Sequence, residues 1–261
     1  MQIRPFTCRR GALTIRGTQF IPDKAVRRPI FIVSHEFMAN RLFSLTYAKA
    51  AARLGYTSFC YDFCGGGIVS ASGGRTTDMS VLTEVEDLKA VIAYAKALPY
   101  TDESRVVLMG CSQGGLVSAL TAAELQDEIA ALILQYPALS IPDDARKGSM
   151  IKASFDPEHI PERLNCSVMR LGRRYVTDVI GLDAFEKISA YRGKVLLLHG
   201  DSDRLVDIDY SRRALSAYRE SGADVRMEVI HGAGHIFLRP EHIRQAKRHI
   251  TGFLAGLWEH F

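Results

Sequence analysis

Much that would announce a function is missing from these 261 residues. The five cysteines, Cys8, Cys60, Cys64, Cys111 and Cys166, are odd in number and contain no Cys-x-x-Cys pair. That argues against a disulfide framework and against a zinc knuckle. Free thiols in apolar runs behave as small hydrophobes and point to a reducing compartment. No apolar run approaches the roughly 18–20 residues of a membrane span. Met1-Gln2-Ile3-Arg4-Pro5 has no apolar signal region behind it. The expectation is therefore a soluble, cytoplasmic protein with no membrane partner. Basic residues exceed acidic ones only slightly, 33 against 29. Those that cluster do so as scattered pairs such as Arg9-Arg10 and Arg212-Arg213, so no nucleic-acid partner is expected. His35-Glu36 opens like a zinc-helix motif, but Ala39 stands where the second histidine belongs. Gly65-Gly66-Gly67 follows a strand-like run yet lacks the third glycine and the helix of a dinucleotide fingerprint. No metal and no cofactor is expected. There are no internal repeats and no low-complexity segment.

What is present is alternation. Ile3–Cys8 and Ala12–Phe20 read as a hairpin around Arg10-Gly11. Short strand-like runs follow at Ile30–Val33, Thr57–Tyr61, Val106–Met109, Ile129–Tyr136, Val195–Leu198 and Val225–Ile230, and the first, third and fifth are wholly apolar. Runs of that kind suit strands buried on both faces. Helical patterns separate them over Phe43–Leu54, Met79–Leu98, a stretch ending near Leu125, Ile208–Glu220 and Glu241–Leu257. Repeated strand–helix units predict an α/β fold with a mostly parallel sheet and helices on both faces. The length suits one domain spanning 1–261. Between Pro137 and Arg192 the alternation pauses, and a Pro-, Asp- and Arg-rich stretch with short helical pieces reads as a helical lid over about 137–192.

In such sheets chemistry gathers at the carboxyl ends of the strands. At the end of Val106–Met109 stands Gly110-Cys111-Ser112-Gln113-Gly114. This is a Gly-x-Ser-x-Gly turn between strand and helix, which lifts a serine hydroxyl clear of the sheet beside the amides of a helix N-terminus. A serine attacks only if a base takes its proton and a carboxylate orients that base. Two later strand ends offer both. Asp201 and Asp203 follow Val195–Leu198, and His231 and His235 follow Val225–Ile230. Ser…Asp…His is the chain order of one particular serine-hydrolase fold.

Over nearly its whole length the chain resembles an α/β-hydrolase. Gly110–Gly114 resembles that family's nucleophile motif. His199-Gly200-Asp201-Ser202-Asp203-Arg204-Leu205-Val206 resembles its His-Gly-x-x-Asp-x-x-Val motif, which selects Asp203. Gly234-His235 resembles its catalytic-histidine loop. The resemblance implies a triad of Ser112, Asp203 and His235. The likeness extends to bacterial cinnamoyl and feruloyl esterases, on the motifs above and on Asp143–Gly148 and Asp156–Leu164 of the insert. Those esterases carry His-Gly-Phe where this chain has His35-Glu36-Phe37, which implies an oxyanion hole from the amides of Phe37 and Gln113. The resemblance adds Asp144 and His35 as substrate contacts. Glu36 departs from the pattern, and such a carboxylate must turn away or pair with a cation such as Arg41. The implied activity is hydrolysis of a small-molecule ester, acyl or aromatic, with a thioesterase, small-peptide or C–C hydrolase, or a non-catalytic binding protein on this scaffold, as rivals. Monomer and homodimer are both left open.

Overall fold

The computed structural model describes residues 1–22 and 26–258, with only the backbone of Trp258. The chain opens with β1 (Gln2–Arg10) and β2 (Leu13–Ile21), then β3 (Arg28–Ser34), α1 (Arg41–Arg53), β4 (Thr57–Tyr61), α2 (Val81–Lys96), β5 (Thr101–Cys111), α3 (Gln113–Glu124) and β6 (Ile129–Gln135). An insert follows, with α4 (Ile141–Arg146), β7 (Ser149–Met150), β8 (Ala153–Ser154), β9 (Arg163–Cys166), β10 (Met169–Gly172), α5 (Arg174–Thr177) and α6 (Ala184–Ile188). The chain closes with β11 (Lys194–Gly200), α7 (Ile208–Glu220), β12 (Asp224–Ile230) and α8 (Pro240–Trp258).

Eight strands form one sheet in the order β1-β2-β4-β3-β5-β6-β11-β12. The first two are antiparallel and the pairings from β4 through β12 are parallel. The uninterrupted apolar strands are explained by what each face meets. Ile30, Ile32, Val106, Leu108, Leu132, Leu134, Val195 and Leu197 point to a core shared with α2, α3 and α7. Their neighbours Phe31, Val33, Val107, Met109, Ala131, Ile133, Leu196 and Leu198 point to a second core shared with α1 and α8. A side-chain period of two, with a helix layer on each side, leaves no polar face to encode. Helices α1 and α2 begin on side-chain caps. Asn40 accepts from the Leu42 amide, and Ser80 and Thr83 form a reciprocal capping box.

The insert differs from the helical lid expected. Its helices are short, and two antiparallel hairpins, β7–β8 and β9–β10, stand between them. Each hairpin turns over two residues, the first of which has positive φ: Ile151 at 59° and Ser167 at 60°. Such turns need left-handed backbone, usually from Asn or Gly. With neither present, nothing in the local sequence marked them. The buried side chains of the insert, among them Ile141, Met150, Leu164, Leu171, Tyr175 and Ile188, join the α2–α3 core. No described helix is long and apolar enough to cross a membrane.

Candidate active site

The sheet turns into α3 at Ser112, whose backbone is held at φ 51° and ψ −119°. That conformation is strained for a side-chain-bearing residue. Two glycines make it possible. A Cβ on Gly110 would lie 2.0 Å from the Gly114 carbonyl oxygen, and one on Gly114 would lie 2.4 Å from that of His35. The turn is pinned from both sides: the Ser112 amide donates to Gln135 O at 3.0 Å, and the Ser112 carbonyl accepts from Ala138 N at 2.9 Å. Gln113 is the first residue of α3, so its amide has no acceptor within the helix.

Two loops beyond β11 and β12 reach this turn. Ser112 Oγ lies 2.7 Å from His235 Nε2, and His235 Nδ1 lies 2.7 Å from Asp203 Oδ2. The Asp203 carboxylate is fully buried and saturated. Its Oδ1 accepts from the amides of Leu205 (2.9 Å) and Val206 (3.0 Å), and its Oδ2 accepts also from His199 Nε2 (3.0 Å). Burial alone would push this carboxyl up. The hydrogen bonds from His199 and His235, with the charge of His235 and the Val206 amide, outweigh it and hold Asp203 well below the usual carboxylate range. Asp201, the other acid of that loop, pairs instead with His231 at 2.8 Å, away from Ser112. Cys111, one residue before the serine, is buried, and burial pushes its thiol far up, which keeps it unionised.

Ser112, Gln113, Phe37 and His235 border a cavity of about 220 Å³. Apolar side chains supply most of its wall, including Met38, Ile141, Met150 and Val206. Ile151, Leu205 and Ile236 line it as exposed residues. The insert contributes Asp144, whose Oδ2 accepts from Ser140 at 2.9 Å and whose carboxyl is pushed up by burial. Two expectations need correcting. His35 does not line the cavity. It is buried, its Nε2 accepts from Phe63 N at 3.1 Å, its Nδ1–H donates to Glu36 O at 2.7 Å, and burial lowers its pKa. Arg41 does not pair with Glu36, because its amide and guanidinium both donate to the buried Asp62. Glu36 instead accepts from Tyr136 OH at 3.0 Å, and the Tyr136 ring packs on that of His235 with centroids 4.9 Å apart.

Three residues escaped the sequence reading. His199 sits inside the His-Gly-x-x-Asp-x-x-Val stretch, yet only the fold shows its ring bridging Asp203 and Ser211 (Nδ1 to Oγ, 2.7 Å). Glu84 and Tyr175 grip the Gln113 side chain. Gln113 Nε2 donates to Glu84 Oε2 at 2.7 Å, and Tyr175 OH donates to Gln113 Oε1. Burial raises the Glu84 carboxyl well above its ordinary value. Among the described residues no group of His, Cys, Asp and Glu side chains is arranged to hold a metal ion.

Comparison with known proteins agrees with this fold. Est1E from Butyrivibrio proteoclasticus, solved with ferulic acid bound, superposes with a TM-score of 0.87 at 25% identity over 95% of this chain and 97% of that one. The Pyrococcus furiosus esterase Pf2001 shares the fold, with a TM-score of 0.73 at 18% identity over 97% of this chain and 91% of that one. The quorum-quenching protein AidA of Acinetobacter baumannii (strain MDR-ZJ06) is 32% identical over 117 residues, 44% of this chain and 38% of that protein's length. The profile of the prolyl oligopeptidase family matches residues 43–260. The chain has the α/β-hydrolase fold and belongs to the prolyl oligopeptidase family of serine hydrolases.

Proposed function

We propose that the chain is a serine carboxylic-ester hydrolase acting on small acyl or aromatic esters of the cinnamoyl and feruloyl type. The observation that carries this reading is the chain of contacts from Ser112 Oγ through His235 to Asp203, set at the wall of an apolar cavity. His235 Nε2 accepts the Ser112 proton as Oγ attacks the ester carbonyl. Asp203 fixes the Nδ1–H tautomer and stabilises the imidazolium. The amides of Gln113 and Phe37 hold the oxyanion. His235 then protonates the leaving alcohol, and water attacking the acyl-enzyme regenerates Ser112. Residues 137–192 act as a lid on the single 1–261 domain and place Asp144 to receive a phenolic hydroxyl. The ferulic acid bound to Est1E supports an aromatic acyl group.

The family match favours a second reading, hydrolysis of a peptide bond by the same residues. The test is stoichiometric labelling by a fluorophosphonate probe alongside a panel of p-nitrophenyl acyl esters, methyl ferulate, acyl-thioesters and aminoacyl amides. The expected result is labelling that Ser112→Ala abolishes, with oxygen esters turned over fastest. An unlabelled wild type defeats the hydrolase reading. Turnover of amides alone replaces the esterase by a peptidase.

A further inference from the structure

Resting on that reading, we propose that Tyr175 and Glu84 are positioning residues for the oxyanion hole, holding the Gln113 and Phe37 amides where the developing charge appears. The need arises in the sequence of α3, whose first three residues are Gln113, Gly114 and Gly115. Glycine is among the poorest helix formers. Close packing demands both glycines here, because a Cβ on Gly114 would meet the His35 carbonyl oxygen and one on Gly115 would lie 2.9 Å from Pro137 Cα. Nor does a side chain cap the helix. Ser112 stands at the N-cap, but its hydroxyl faces His235 and makes no cap hydrogen bond. The start of α3 therefore serves close packing and the serine, and local propensity does little to fix the Gln113 amide.

The side chain of Gln113 supplies the anchor instead. Its Nε2 donates to Glu84 Oε2 at 2.7 Å, and its Oε1 accepts from Tyr175 OH. Glu84 comes from the first turn of α2 and Tyr175 from α5, so two elements far apart in sequence grip one amide from both ends. All three side chains are buried, which shields both bonds from competing water. Tyr175 reaches the second donor as well. Its ring packs on that of Phe37 with centroids 5.8 Å apart, and Phe37 lies in the turn between β3 and α1, outside the strand ladder. One side chain thus touches both residues whose amides meet the oxyanion. Stabilisation of that charge depends on donor placement, and a shift of about 1 Å costs about a hundredfold in rate. Loosening the grip leaves the donors present but misplaced, a loss of about ten- to a hundredfold in kcat.

The test compares wild type with Tyr175→Phe, Glu84→Met, Glu84→Gln and Gln113→Met, with thermal unfolding followed for each. Steady-state kinetics on the fastest substrate of the panel are paired with inhibition by an alkyl trifluoromethyl ketone, whose carbonyl oxygen becomes the oxyanion when Ser112 Oγ adds to it. The expected result for Tyr175→Phe and Glu84→Met is a fall of about ten- to a hundredfold in kcat at unchanged KM, with ketone affinity weakened by a matching factor. Glu84→Gln keeps an acceptor for Gln113 Nε2 and restores both quantities to within about threefold of wild type. Tyr175→Phe added to Gln113→Met costs less than about twofold more, because the partner of the hydroxyl is already gone. A merely structural role lowers the unfolding temperature without moving ketone affinity relative to KM. Tyr175→Phe deletes one oxygen and keeps the ring on Phe37, so it decides the matter alone if Glu84→Met does not fold. An unchanged kcat in Tyr175→Phe, a rise in KM alone, or an undiminished ketone affinity overturns the proposal and leaves the hydrolase reading standing. A wild type that turns over no substrate and does not label at Ser112 overturns both.

Discussion

Two aspartate–histidine pairs lie side by side where β11 and β12 end. Asp201 meets His231 at 2.8 Å and Asp203 meets His235 at 2.7 Å. Each carboxylate also accepts from backbone amides, and each is held below the usual range. Asp201 is held there first by the His231 hydrogen bond and then by the Gly232 amide. Distance and residue type do not tell the pairs apart. Their surroundings do. The side chains of Asp201 and His231 are 35% and 83% exposed, whereas those of Asp203 and His235 are 0% and 11%. Around the first pair water screens the charges and competes for the hydrogen bonds. Around the second it is excluded, a second imidazole fixes the carboxylate, and a serine hydroxyl waits on the far nitrogen. A histidine–carboxylate contact becomes a candidate relay only when burial makes it directional and a third group gives it an object.

Substitutions can break this contrast. Asp203→Asn is expected to lower kcat by about 10⁴-fold, because the amide cannot hold the tautomer that leaves Nε2 free to accept. Steady-state kinetics on the best ester checks this. His199→Phe removes one donor from the Asp203 carboxylate without touching the cavity, and its expected effect is a fall of about ten- to a hundredfold in kcat with KM unchanged. A rise in KM alone would place His199 in substrate binding instead.

Acid stability sharpens the contrast further. Folding depresses the Asp203 pKa, so as pH falls the unfolded chain takes up that proton before the folded one does. The stabilisation is complete above the unfolded value of about 3.9 and is lost as pH drops through the window below it. Thermal unfolding of Asp203→Asn, followed from neutral to acid pH, is therefore expected to fall less steeply than that of wild type. The smallest effect belongs to the exposed pair. Asp201→Asn and His231→Ala are expected to leave kcat within about twofold. A large loss from either would erase the distinction drawn from burial.

The sheet was legible because strands covered on both faces are written as plain apolar runs, as at Ile30–Val33 and Val195–Leu198. The turn at Ser112 was legible because its backbone tolerates only glycine at 110 and 114. The loop acids and histidines were legible as types at strand ends, but the residues alone left Asp201 against Asp203 open. Burial divides that pair, and burial is a property of the whole fold. The hairpins of the insert were hidden because Ile151 and Ser167, residues with no preference for left-handed backbone, make the turns. Glu84 was hidden because a helical glutamate ordinarily faces water, and only the side chain of Gln113 explains its burial.

The tie from Tyr175 to Gln113 bears on how readily relatives of this fold could trade one insert for another. The residue that begins α3, just after Ser112, keeps its side chain satisfied by borrowing a donor from the insert. A graft that replaces 137–192 therefore removes that donor from a buried amide as well as remaking the cavity wall. Transplanted inserts should be tolerated only when they bring a hydroxyl to the place of Tyr175, or when residue 113 changes with them. The insert is less an interchangeable module than a part that must be inherited together with the elbow beneath it.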